Sequence, residues 1–177
     1  MARPIWMITI LKRHFSWRFA GAAMTRWPII GRWMERALFN GHRTGDALFY
    51  LPKDRVVIQV DIEEQENIVL PSAVVDHFID EAKYVFLMNH CICREAADCQ
   101  TYDHELGCIF LGEAVLDINP SLGRLVDKAT AHAHAQRARE AGLVHLIGRD
   151  KIDAVWMGVK PSTKLMTICN CCPCCCL

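Results

Sequence analysis

The residues able to do chemistry in this 177-residue chain are its ten cysteines, confined to two blocks. Cys91, Cys93, Cys99 and Cys108 fall within eighteen residues. After sixty residues without a cysteine, Cys169, Cys171, Cys172, Cys174, Cys175 and Cys176 fall within eight. Thiolates are soft ligands that select zinc, copper(I) or iron–sulfur clusters. A cubane cluster needs four of them converging from irregular backbone whose N–H groups can bond the sulfides. The first block supplies four at spacings of two, six and nine, neither the run of a bacterial two-cluster ferredoxin nor the paired knuckles of a zinc ribbon. The second block is overfilled. Adjacent cysteines cannot all reach one metal, so some are spare or serve a second centre. Pro173 restrains this loop and removes a backbone donor. The expectation is that the blocks fold together and bind one or two 4Fe-4S clusters, with all ten cysteines as candidate ligands. The alternative is a cysteine-ligated zinc adaptor without a redox role. Disulfides, redox-switch thiols and a lipidated cysteine tail are lesser readings.

Two other residues are candidates for contact with a cluster. Arg94 follows the Cys91-Ile-Cys93 pair. It either donates hydrogen bonds or charge toward an anionic cluster, raising its potential, or bridges to Glu95 or Asp98. His145 crosses a strand in Gly142-Leu-Val-His145 and either approaches the cluster edge or is a satisfied, half-buried histidine. His90 is read as supporting the ligands from outside. His132 and His134 stand two apart on a helix, share no face, and are expected in solvent with Arg137 and Arg139. Asp103, His104 and Glu105 are read as a polar ligand loop, because no nucleophile or substrate-pocket signature accompanies them. No phosphate-binding glycine motif is present. An electron carrier or redox subunit is expected rather than a stand-alone enzyme.

These ligands must be held by elements around them. Tyr84–Met88 reads as a buried strand ending at Cys91, and Leu165–Ile168 as another running into Cys169. If the two are neighbours, both ligand loops emerge at one sheet edge. Arg55–Val60, Leu143–Ile147 and Ile152–Val159 also read as strands. Ser72 caps a helix from Ala73 to about Ala82, and Asp127 caps one running to Ala141, stopped by Gly142. Ile109–Val115 reads as a short helix and 119–123 as a turn. The fold expected is α/β or α+β: a small mixed, partly parallel sheet with flanking helices and a basic N-terminal helical arm.

Composition fits one domain with an appendage. The chain is 52% hydrophobic and 23% charged with no formal net charge, which excludes a nucleic-acid binder on global charge. The N-terminus shows no secretory h-region, so a reducing, cytoplasmic compartment is expected, where clustered cysteines bind metal. Charge is uneven: residues 1–50 hold eight basic residues against Glu35 and Asp46, with Trp6, Trp17, Trp27 and Trp33. Residues 5–40 read as two or three amphipathic helical pieces broken near Pro28 and Gly31. Basic residues interleaved with tryptophans suit either an interfacial membrane helix, peripheral on the inner face, or an arm packed on protein. The division expected is an arm over 1–44 and an iron–sulfur domain over 45–177.

Four stretches, Asn89-His-Cys-Ile-Cys-Arg94, Gly107-Cys-Ile-Phe-Leu-Gly112, Arg139-Glu-Ala-Gly-Leu-Val-His145 and Ile168-Cys-Asn-Cys-Cys-Pro-Cys-Cys-Cys176, carry a family resemblance. Over roughly 45–177 the chain resembles the N-terminal module of prokaryotic 4Fe-4S ferredoxin-type iron–sulfur proteins. The resemblance implies cluster binding and electron transfer, of the kind used in anaerobic metabolism, with a redox partner protein. In many such relatives a two-cluster ferredoxin domain follows. Here the sequence stops at Leu177, so a fragment or a stand-alone version is expected.

Overall fold

The computed structural model describes residues 3–15, 17–24, 26–29, 31–33, 47–51, 71–149 and 151–176. Six strands form one sheet: β1 (Ala47–Leu51), β2 (Val85–Met88), β3 (Ile109–Leu111), β4 (Gly123–Val126), β5 (Val144–Arg149) and β6 (Met166–Cys171). Their order is β1-β5-β6-β3-β2-β4, and every pairing is antiparallel. The helices are α1 (Ile5–His14), α2 (Trp17–Met24), α3 (Pro71–Glu81), α4 (Ile92–Ala96), α5 (Lys128–Glu140) and α6 (Lys151–Met157). The architecture is therefore mixed α and β with flanking helices, as expected, but among the described residues the sheet is antiparallel throughout, where a partly parallel one was expected.

Both faces of the sheet are covered. Phe86, Met88 and Phe110 point to one side and pack with Ile8 of α1, Ile92 of α4 and Trp156 and Met157 of α6. Val85, Leu87, Ile109, Ile147 and Ile168 point to the other, against Val75 and Ile79 of α3 and Ala131 and Ala135 of α5. Double coverage explains why β2 is a continuous apolar run, buried at all four positions, without the alternation of a half-exposed strand. Asp127 caps α5 as expected, its carboxylate accepting from the Thr130 N–H at 2.7 Å.

Three assignments change. Ile109–Leu111 is the strand β3, followed by a 3-10 turn over Glu113–Asp117, where a helix was expected. Three apolar residues between β2 and β6 satisfy their backbone by pairing on both sides. The segment expected as a strand over Ile152–Val159 is the helix α6, in which Ala154, Trp156 and Met157 are buried. A short apolar run does not distinguish the two periods, and tertiary packing decides. Ser72, expected to cap a helix from Ala73, lies inside α3, which already includes Pro71. The expected turn at 119–123 is present as a 3-10 turn over Pro120–Leu122 and leads straight into β4. Gly123 is required there, because a Cβ at this position would strike the Leu87 carbonyl oxygen of β2. The expected strand Arg55–Val60 lies outside the described residues.

The topology creates one chemically loaded end. β2 and β6 both flank β3 and run antiparallel to it, so they point the same way. Their C-termini, and the N-termini of β3, β4 and β5, therefore meet at one end of the sheet. Cys91 follows β2, Cys108 precedes β3, and Cys169 and Cys171 lie on β6 itself.

Candidate metal centre

Local structure around the first block is set by α4, a five-residue helix whose N-terminal cap is Cys91. The chain reaches it from β2 through a turn tied down by a Cys91 N–H bond to the His104 carbonyl at 2.7 Å. Asp98 then takes a left-handed conformation (φ 48°), one that aspartate tolerates better than most residues. It turns the chain back so that the Cys99 N–H bonds the Arg94 carbonyl at 3.0 Å. The loop over Asp103, His104 and Glu105 is structural and polar: the His104 ring nitrogen Nε2 meets the Cys99 carbonyl at 2.8 Å, and Asp103 accepts from the Glu105 N–H. At the second block, a turn over 173–176 folds the tail back, with the Cys176 N–H on the Cys172 carbonyl.

The blocks fold together, but not as one four-ligand set beside a surplus. Two sulfur groups form, and each draws on both blocks. Cys99 joins Cys172, Cys174 and Cys175, with all four sulfurs within 4.8 Å of one another; Cys91 and Cys93 join Cys176 under the same limit. Individual sulfur separations are 3.7 Å for Cys99–Cys174, 3.6 Å for Cys172–Cys174 and 3.5 Å for Cys174–Cys175. The groups touch through Cys172 and Cys176, 3.6 Å apart. Cys108 contacts Cys91 and Cys169, and Cys171 contacts Cys169 and Cys176, so the remaining three cysteines adjoin the second group. All ten thus belong to one patch. Cys91, Cys99, Cys171 and Cys172 are buried and Cys174 is exposed, so the patch runs from the core to the surface.

So many thiols in contact cannot all ionise independently; they share protons as a set. Hydrogen bonds from Cys169 and Cys176 hold Cys171 at about 4, against the effect of burial. Burial works against ionisation of Cys99 as well, but the backbone N–H groups of Thr101 and Tyr102 help bring it to about 7. Hydrogen bonds with Cys171 and Cys91 push Cys176 up. Ready thiolates are what a metal ion requires.

Arg94 is the cation of this patch. Its side chain is completely buried on α4, and it does not bridge to Glu95 or Asp98. Its guanidinium donates to the Asn170 carbonyl at 2.7 Å and to the Leu106 carbonyl. It therefore ties the first block to β6 and to the loop before Cys108. Burial alone would weaken its proton affinity, but attraction to the neighbouring thiolates, Cys91 first, outweighs that and raises it. Its Nε–H is buried without an acceptor. Anionic sulfur ligands beside it fit that orphaned donor.

His145 is buried on β5, opposite Asn170 of β6. Its Nδ1 lies 2.9 Å from the Asn170 side-chain oxygen, while the Asn170 amide donates to the Gly107 carbonyl at 2.8 Å. His145 Nε2 has no partner. Desolvation lowers its pKa, partly offset by Asn170. It thus supports the strand that carries Cys169 and Cys171 and is not grouped with the sulfurs. His90 is exposed.

Two members of this network were not anticipated. Asn170 stands between Cys169 and Cys171 and is 1% exposed. Its alternation with two cysteines on a strand was the available sign. His134, expected in solvent, is buried and bonds the Gly107 carbonyl through Nε2 at 2.9 Å. It falls on the i, i+3, i+4, i+7 stripe of Ala131, Ala135 and Ala138 that faces the sheet. Gly107 sits where these bonds converge; a Cβ there would come within 2.7 Å of the Met88 carbonyl oxygen. His132, by contrast, is on the outer face of α5, near Asp76 and Asp80 of α3.

In comparisons with known proteins, no family model matched the chain, and no curated protein or solved structure matched it.

Proposed function

We propose that the thiol patch holds iron–sulfur chemistry, one or two 4Fe-4S clusters, and that the protein is an electron carrier or redox subunit serving a partner protein or a fused ferredoxin domain. The observation that carries this reading is the pair of touching sulfur groups, each built from both cysteine blocks over a fully buried arginine. Ten thiols exceed what one mononuclear site uses. The buried cation offsets the negative charge of a cluster and its thiolates, which favours the reduced form and raises the potential. The gradient from buried Cys91 to exposed Cys174 suits a centre that exchanges electrons at the surface.

A zinc-bound adaptor is a second reading, favoured by one distance. Zinc–sulfur bonds of about 2.3 Å imply tetrahedral sulfur–sulfur edges of roughly 3.8 Å. The contacts of 3.5–3.7 Å among Cys99, Cys172, Cys174 and Cys175 match that spacing. Purification without oxygen, followed by iron, zinc and sulfide analysis and EPR of the reduced protein, separates the two. A brown protein with stoichiometric iron and acid-labile sulfide is expected; a colourless one with stoichiometric zinc would sink the redox reading.

A further inference from the structure

The N-terminal helices present a second surface. α1 has two apolar faces. One, with Ile8 buried and Phe15 beside it, packs into the core against α4 and α6. Lys12 fastens it by an ion pair with Glu95 at 2.6 Å, and Asn119 donates to the Arg3 carbonyl. The other face points outward. Trp6, Ile10 and Arg13 follow one another at i, i+4 and i+7, and Trp17, also exposed, opens α2. The exposed tryptophans are far from incidental in degree: Trp6, Trp17, Trp27 and Trp33 are 64, 71, 65 and 71% exposed, and Ile29 is 80% exposed. An amphipathic helix needs one apolar face to fold onto a domain; a second one needs an apolar phase of its own.

Charge identifies that phase. Residues 1–34 contain Arg3, Lys12, Arg13, Arg18, Arg26 and Arg32 and no aspartate or glutamate. Among the described residues no helix is long and apolar enough to cross a membrane. Tryptophan rings at headgroup depth with arginines toward phosphates are the signature of a helix lying in an interface. We infer that residues 3–33 form a foot that seats the protein on an anionic phospholipid surface. Because α1 packs on α4, which carries Cys93 and Arg94, the foot places the thiol patch beside that surface. The lipid contact does not depend on which metal the patch holds.

Flotation of the full-length, metal-loaded protein with phosphatidylglycerol vesicles, and separately with phosphatidylcholine vesicles, tests this. Co-flotation with the anionic vesicles, reversed by salt, is expected, with a blue shift of tryptophan emission. Arg13→Gln should weaken binding roughly fivefold. The pair Trp6→Ser and Trp17→Ser should abolish flotation with metal content unchanged. The inference is overturned if the unmodified protein stays at the bottom with phosphatidylglycerol vesicles, or if the exposed face instead pairs two copies in solution, a dimer that the same pair of substitutions returns to monomer. Metal analysis of the same preparation keeps failure of this inference distinct from failure of the redox reading.

Discussion

Arg94 shows how a single side chain can organise a site made from distant segments. It occupies a buried position beside thiolates, and its two bonded carbonyls belong to Leu106 and Asn170. Arg94→Met would leave both acceptors buried and unmet, and remove the charge that offsets the thiolates. The expected loss is roughly 3–5 kcal/mol of stability together with most of the bound metal. Arg94→Lys keeps a charge without the planar fork and should fall between. Urea unfolding and metal analysis of the two variants check this; a wild-type midpoint in Arg94→Met would refute it. The cysteine blocks were readable from spacing alone, because ten thiols in two blocks have few uses, whereas for Arg94 the sequence left a contact with the thiolates and a bridge to Glu95 or Asp98 equally open. Asn170 and His134 were not readable, because their roles are created by partners that are remote in sequence. The grouping of Cys99 with the second block was equally hidden, since spacing favours near neighbours while the Asp98 reversal redirects the chain.

Among the elements, α3 and α5 are clasped across one face of the sheet by polar contacts at their rim. His132 lies 2.8 Å from Asp80 and 3.2 Å from Asp76, Arg139 also approaches Asp76, and Lys128 donates to the Asp80 carbonyl. The hydrogen bond with Asp80 leads in raising the His132 pKa above its ordinary 6.5, against some desolvation. A raised folded-state value means that this clasp contributes fully below about 6.5 and is lost as pH climbs through the raised value. For a partly exposed pair the effect is about 0.3–1 kcal/mol. His132→Gln should therefore lower the urea midpoint at about pH 5.5 and leave it nearly unchanged at about pH 8.5; an equal loss at both would contradict the assignment. α3 and α5 were both legible in the sequence, one through its apolar periodicity and the other through its Asp127 cap. β3, β4 and α6 were not, because short apolar runs take whichever geometry the sheet and its cover require.

Taken as a whole molecule, the fold is an antiparallel sheet with helices on both faces and nearly all of its soft-ligand chemistry at one end. Each of the six described strands has one terminus at that end, and cysteines border three of them. Metal bound there must stabilise the native state by mass action, about 2.7 kcal/mol when the free ion is at a hundred times its dissociation constant. Calorimetry of the loaded protein and of the same protein stripped by chelator should show a higher melting temperature for the first; equal temperatures would mean that the patch binds nothing of consequence. The layer arrangement was legible only as a mixture of helices and strands. Strand direction was not, since direction depends on connections rather than on composition. The mixing of the two cysteine blocks also has a consequence for how the protein is made. Cys99 leaves the ribosome well ahead of Cys172, and Cys91 well ahead of Cys176, yet each waits for its later partner. Neither sulfur group can close on a nascent chain before the final turn over 173–176 is synthesised. A metal held by either group would therefore be taken up only once that turn, and β6 just before it, have been made.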